Sequence, residues 1–152
     1  MTKQIRPSVV LMQNEEMLLL KSKYLSGEFY LLPGGSMEDF ETVEETAIRE
    51  TKEETNYNIK ITKLLYVQEW IDKKRKKDVL YMVFLGKIIG GEETHLNDPC
   101  LEKGNIKGIE WINVEKLGEI TFYPKDIIPL LKKDCKQGFT RCPMFLKPSV
   151  TD

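Results

Sequence analysis

The order of apolar segments in this chain predicts an α/β fold, a mixed β-sheet covered by helices. Runs rich in Val, Ile, Leu, Tyr and Trp dominate the first two thirds, one segment free of Gly and Pro interrupts them, and another helical segment follows near the end. Elements of this kind bury their apolar faces by stacking helices on sheet. At 152 residues the chain is read as a single domain, 1–152, long enough to bury a core without disulfides or a structural metal. Its 41% hydrophobic and 31% charged residues are a globular composition.

Residues 5 to 13 and 16 to 23 are apolar runs about the turn pair Asn14-Glu15, which predicts a hairpin. Phe29-Tyr30-Leu31-Leu32 reads as a short strand stopped by Pro33-Gly34-Gly35. Thr42 to Thr55 contains no Gly or Pro and is rich in good helix formers, so it predicts a helix. Residues 59 to 71 and 79 to 89 predict a second, longer hairpin with the charged tip Asp72-Lys73-Lys74-Arg75-Lys76-Lys77-Asp78. After a polar loop from Gly90 to Gly108 come a short strand, Ile109 to Ile112, and a helical turn at Val114 to Leu117. A second helix is expected from Asp126 to Lys133 with Pro129 in its first turn, where proline is tolerated. From about residue 134, Gly138, Pro143 and Pro148 predict an irregular tail.

With 23 basic against 24 acidic residues, no global field draws the chain to nucleic acid or membrane, so any electrostatic function must be local. The sequence shows neither a signal peptide nor an apolar run of membrane-spanning length, which predicts a cytoplasmic protein with no membrane partner. Cys100, Cys135 and Cys142 are too widely spaced for a zinc cluster or a disulfide framework and read as reduced thiols. His95, the single histidine, sits in a polar loop and reads as solvated.

The chemistry lies between Gly35 and Tyr57. At about 100° per residue, Glu50, Glu53 and Glu54 fall within an arc of roughly 100° on the predicted helix. Like charges that close destabilise a helix, and a hard divalent cation would reverse the sign: Mg²⁺ and Mn²⁺ take carboxylate, carbonyl and water oxygens, often together with substrate phosphates. Val43, Ala47, Ile48, Thr51 and Thr55 occupy an adjoining arc that can pack on the sheet and hold the ligands rigid. Gly34 and Gly35 permit close backbone approach, so a carbonyl there can face the metal, and Arg49 can orient Glu41 or a helix glutamate.

Gly35, Glu41, Arg49, Glu50, Glu53 and Glu54 together resemble the Nudix box, G-x5-E-x7-R-E-U-x-E-E-x-G-U with U a bulky apolar residue. From average residue usage, six such matches arise by chance with odds on the order of 10⁻⁵ or less. Two positions depart. Thr51 stands where an apolar residue is usual, and Asn56 stands where glycine is usual, Asn being the next-best residue for a left-handed helix cap. The resemblance, which spans about residues 5 to 133, implies a Nudix-type α/β/α sandwich with a mixed β-sheet. It implies Mg²⁺ or Mn²⁺ at Glu50, Glu53, Glu54 and the Gly34 carbonyl, with Arg49 also in the catalytic set. The activity implied is hydrolysis of a phosphoanhydride bond in a nucleoside diphosphate linked to another moiety, a nucleoside triphosphate or related nucleotide. The metal would neutralise pyrophosphate charge and activate water. Glu50 is one candidate general base, and Glu93 and Glu102 in the later loop are others.

Substrate-binding residues are not fixed by the sequence. Phe29, Tyr30, Tyr66, Trp70, Tyr81 and Phe84 lie on predicted strands, where one or two can stack on a base while the rest form core. A proline about sixteen positions past the box suggests ADP-ribose in this family and a tyrosine dinucleoside polyphosphates; this chain has Lys73 there. The Lys73 to Lys77 cluster reads either as a solvated tip that discourages aggregation or as a phosphate or RNA contact, RNA being the weaker partner. A Nudix-fold module that binds nucleotides without hydrolysis is the alternative function, and it would be expected to have lost box carboxylates that this chain keeps.

Overall fold

The computed structural model describes residues 2–25, 27–93 and 106–152. The strands are β1 (Gln4–Val10), β2 (Met12–Gln13), β3 (Glu16–Tyr24), β4 (Gly27–Leu31), β5 (Asn58–Asp72), β6 (Lys77–Gly90), β7 (Ile106–Asn113), β8 (Phe122–Tyr123), β9 (Met144–Phe145) and β10 (Ser149–Thr151). Helix α1 is Val43–Thr55 and α2 is Ile128–Lys136, with 3-10 turns at Val114–Glu119 and Lys125–Ile127.

Two mixed sheets form where a single one is expected. In the first, β6 pairs β1 in parallel and β5 antiparallel, and β5 also takes β9 and β10 in parallel. In the second, β3 pairs β2, β4 and β7 antiparallel, and β4 takes β8 in parallel. The predicted first hairpin is therefore corrected. Only Met12–Gln13 folds back on β3, while β1 crosses to the other sheet and lies along β6. An apolar run pairs equally well with several neighbours, and local turn chemistry does not choose among them.

Apolar side chains are buried on both faces. Val9, Leu11, Leu18 and Leu20 pack with Ala47 of α1, whereas Val10, Met17 and Leu19 pack with Leu131 of α2. Alternation along β1 and β3 thus sends successive residues to opposite cores, which is why Met17-Leu18-Leu19-Leu20 reads as one unbroken apolar run. The layers are helix, sheets, helix.

Thr42 caps α1 with a capping box: its Oγ1 accepts the Glu45 N–H at 3.2 Å, and the Glu45 carboxylate accepts the Thr42 N–H at 2.8 Å. Asn56 ends the helix at φ 64°, the left-handed cap its side chain predicts. The inward face is Thr46, Ala47, Thr51 and Thr55; Ile48, expected there, is exposed. The predicted irregular tail is also corrected. α2 continues to Lys136, and β9 and β10 then pair with the edge of β5. A buried carboxylate pins this segment: Asp134 accepts from Tyr66 Oη at 2.6 Å and Arg141 Nε at 2.7 Å. Cys135 and Cys142 are free thiols, raised above the usual range chiefly by burial. His95, Cys100 and Glu102 lie outside the described residues. No described helix is long and apolar enough to cross a membrane.

Candidate active site

After β4 the chain turns back across β1. Val9 N–H donates to Pro33 O at 2.8 Å, Gly35 N–H donates to Pro7 O at 3.2 Å, and Ser8 bridges Gly34. A Cβ on Gly34 would lie 2.7 Å from Ser8 Cα, well inside contact distance, so the close approach to β1 requires glycine. A Cβ on Gly35 would overlap the Glu50 carboxylate. One missing side chain admits a strand and the other admits an acid.

The box side chains named from sequence do come together. Arg49 grips Glu41 side-on, Nε to Oε1 at 2.5 Å and Nη2 to Oε2 at 2.9 Å, and its Nη1 reaches Glu50 at 3.0 Å and Glu53 at 3.3 Å. This bidentate fork fixes both partners in angle as well as distance. Glu41 also accepts from Thr46 Oγ1 at 2.8 Å and the Glu38 N–H at 3.0 Å, so the loop before α1 is tied to the helix. The Arg49 contact is the main reason the Glu41 pKa falls to about 2, and the same contact raises that of Arg49.

Glu54 lies apart from this grip. Its Oε1 accepts the Gly34 N–H at 2.8 Å. Burial pushes its carboxyl up to about 8; the Gly34 hydrogen bond opposes this, the Glu50 and Glu53 charges add to it, and Arg6 lowers it. Local negative charge here exceeds the positive charge that offsets it.

Among the described residues, no three His, Cys, Asp or Glu side chains already converge as a metal-ligand set. Arg49 contacts one oxygen each of Glu50 and Glu53, and Gly34 N–H contacts one oxygen of Glu54, so each carboxylate keeps a second oxygen outside these contacts. The donor chemistry does suit a hard divalent cation: crowded carboxylate oxygens, with one acid pressed to keep its proton.

These groups open on a cleft of about 1320 Å³. Strand register builds its floor. Ser8 lies opposite Val83, Arg6 opposite Tyr81, Trp70 opposite Val79 and Asp72 opposite Lys77; Ser8, Val83, Arg6, Tyr81, Trp70, Asp72 and Lys77 line the cleft. Phe29, Leu31 and Tyr123 form part of the opposite bank. Of the aromatic candidates, Phe29, Trp70 and Tyr81 line the cleft, Tyr66 and Phe84 are core, and Tyr30 donates to Glu110 at 3.0 Å. Glu93 influences Tyr57, whose phenol is raised first by burial and then by that charge, and it does not line the cleft. Sequence reasoning missed Arg6 and Tyr123. Arg6 alternates with Ser8 on one strand face, a signal that becomes readable only once β1 is known to lie beside β6.

A family model described as NUDIX domain matches residues 2–132. The chain is 33% identical over 123 residues to the ADP-ribose pyrophosphatase of Methanocaldococcus jannaschii, covering 78% of this chain and 67% of that protein. It is 29% identical over 119 residues to the NAD-capped RNA hydrolase NudC of Pectobacterium carotovorum, covering 77% of this chain and only 42% of that protein. A solved NUDIX hydrolase from Nitrosomonas europaea superposes with a TM-score of 0.72 at 18% identity, covering 90% of both chains.

Proposed function

This chain belongs to the Nudix domain family of pyrophosphohydrolases, and from that premise we propose that it hydrolyses a phosphoanhydride bond in a nucleoside diphosphate linked to another moiety, with Mg²⁺ or Mn²⁺ held by Glu50, Glu53, Glu54 and the Gly34 carbonyl. The observation that carries this reading is the excess of carboxylate over cation at one end of a cleft. A structural acid cluster would be neutralised, whereas here Glu54 is raised to about 8, chiefly by burial and further by the Glu50 and Glu53 charges. When bound, the cation supplies charge neutralisation on the diphosphate and a more acidic attacking water.

The chain's own residues supply positioning. Arg49 aligns Glu50 and Glu53 on one helix face and anchors the loop through Glu41. Glu50, wedged against Gly35, is the candidate general base within the cleft. Trp70 and Tyr81 on the floor offer ring faces for a base. The substrate is a nucleotide of the kind acted on by the relatives, whose names specify ADP-ribose in one case and NAD-capped RNA in another.

A hydrolysis screen with Mg²⁺ and Mn²⁺ over nucleoside triphosphates, ADP-ribose, nucleotide sugars, dinucleotides and capped RNA tests the proposal. Metal-dependent release of a nucleoside monophosphate or of pyrophosphate is the expected result. Tight nucleotide binding with no turnover of any compound would replace it with a non-hydrolytic binding module.

A further inference from the structure

The far end of the cleft is basic. Lys74, Arg75 and Lys77 of the β5–β6 turn line it, although by sequence a charged hairpin tip is ordinarily a solvated feature. This tip is held in place. Asp72, itself 7% exposed, accepts the Arg75 N–H at 2.8 Å; Lys73 N–H donates to Thr151 O at 3.0 Å, and Lys73 Nζ reaches Asp152 at 2.5 Å. The C-terminal residues thus take up Lys73, and Lys74, Arg75 and Lys77 line the cleft beside Asp72 and Asp152, with Arg75 Nη1 3.8 Å from the Asp72 carboxylate. Arg75 and Lys77 also line an adjoining hollow of about 560 Å³ whose wall carries Phe29 and Tyr123, edge to face at 5.8 Å.

Register gives the separation from the acidic end. Gly34 bridges Ser8, Ser8 lies opposite Val83, and Lys77 is six residues along β6 from Val83, about 20 Å at the ordinary strand rise. That is many times the span of one diphosphate, so a diphosphate at the acidic end cannot also reach the tip. We propose that Lys74, Arg75 and Lys77, with Phe29 and Tyr123, form a second subsite for a phosphate separate from the scissile diphosphate and for the nucleotide ring that bears it. The placement of the scissile diphosphate rests on the proposed function. Cations take the phosphate and the aromatic pair, with Lys125 Nζ already 5.5 Å from the Tyr123 centroid, walls the ring, the combination that binds nucleotide units without requiring base-specific contacts.

Three probes test this: two adenosines joined 5′ to 5′ by a diphosphate, the same compound with one ribose 2′-phosphate, and the same compound extended at a 3′-hydroxyl by a short RNA. Calorimetric affinities are taken on the metal-free protein, and turnover is followed with Mg²⁺. The wild type should bind at least one phosphate-bearing probe about tenfold more tightly than the plain one. Preference for the 2′-phosphate alone assigns a small nucleotide, preference for the RNA alone assigns an internucleotide phosphate, and preference for both assigns the shared group. In K74Q/R75Q/K77Q, and partly in K74Q/K77Q should the triple variant not fold, the ratio should fall toward one. A control with the same charge loss on exposed lysines away from the cleft, K60Q/K87Q/K133Q, should keep it. No preference in the wild type, or a preference that survives in the tip variants, overturns the subsite. Preference without turnover of any probe removes the hydrolase reading and leaves the subsite; turnover without preference does the reverse.

Discussion

Two acidic sites in this chain, one a single carboxylate and one a cluster, have opposite fates. Asp134 is fully buried, yet it is saturated by Tyr66 Oη and by two nitrogens of Arg141, at 2.6 and 2.7 Å, and it closes the C-terminal segment onto the sheet. Glu41, Glu50 and Glu53 crowd about Arg49, while Glu54 lies outside that grip and is left with burial, and then like charge, that raise its pKa to about 8. A carboxylate that serves structure is completed by its own chain. On the proposed function, the acids that would hold a cation are left incomplete, at a cost in metal-free stability.

The sharpest test of that contrast is Asp134→Ala. It leaves the fully buried Tyr66 hydroxyl without its acceptor, while the exposed Arg141 turns to water, so urea denaturation should show a loss of about 3 kcal/mol. The folded fraction should keep its activity. A loss below about 1 kcal/mol would mean that the buried acid is not the structural member of the pair.

Glu53→Gln and Glu54→Gln should behave inversely. Each keeps side-chain size while removing charge from the acidic face, so kcat should fall about 10²-fold, roughly 3 kcal/mol of transition-state stabilisation. Stability of the metal-free protein should hold or rise, in Glu53→Gln because like-charge repulsion is relieved and in Glu54→Gln because no buried carboxyl has to keep its proton at neutral pH. Wild-type turnover in both variants under limiting metal would end the catalytic assignment.

Stability against pH separates the acids within the site. Folded Glu54 holds its proton up to about 8, against 4.5 when unfolded, so its contribution is complete below about 4.5 and is lost as pH rises through 8. Glu41, lowered to about 2 by Arg49, contributes above 4.5, and that contribution is lost only as pH falls toward 2. Thermal melts of metal-free protein should therefore show the Glu54 loss between pH 5 and 8, and Glu54→Gln should remove it. Saturating Mn²⁺ should oppose the loss, adding about 2.7 kcal/mol at a hundredfold excess over Kd. An identical pH slope in wild type and Glu54→Gln would show that Glu54 is not the strained acid.

The smallest effect concerns the helix backing. Thr51 is fully buried and its Oγ1 has no hydrogen-bond partner among the described residues. Thr51→Val keeps the shape, removes the unsatisfied hydroxyl, and should stabilise the fold by about 1 kcal/mol without touching kcat. A destabilised variant would mean that the hydroxyl is satisfied in solution.

The sequence alone determined what depends on local spacing. Thr42 and Asn56 cap α1 because capping is decided within one helical turn, and Glu50, Glu53 and Glu54 share a face because helical period is fixed by backbone geometry. The acidic end of the cleft was legible for that reason. The tertiary structure decided what depends on pairing between distant strands. The parallel alignment of β1 with β6 places Arg6 beside Tyr81, and the pairing of β10 with β5 turns an expected loose tail into the support of the basic tip. Apolar strands carry no unique partner in their local pattern; only burial on both faces, satisfied by the whole chain at once, selects one register.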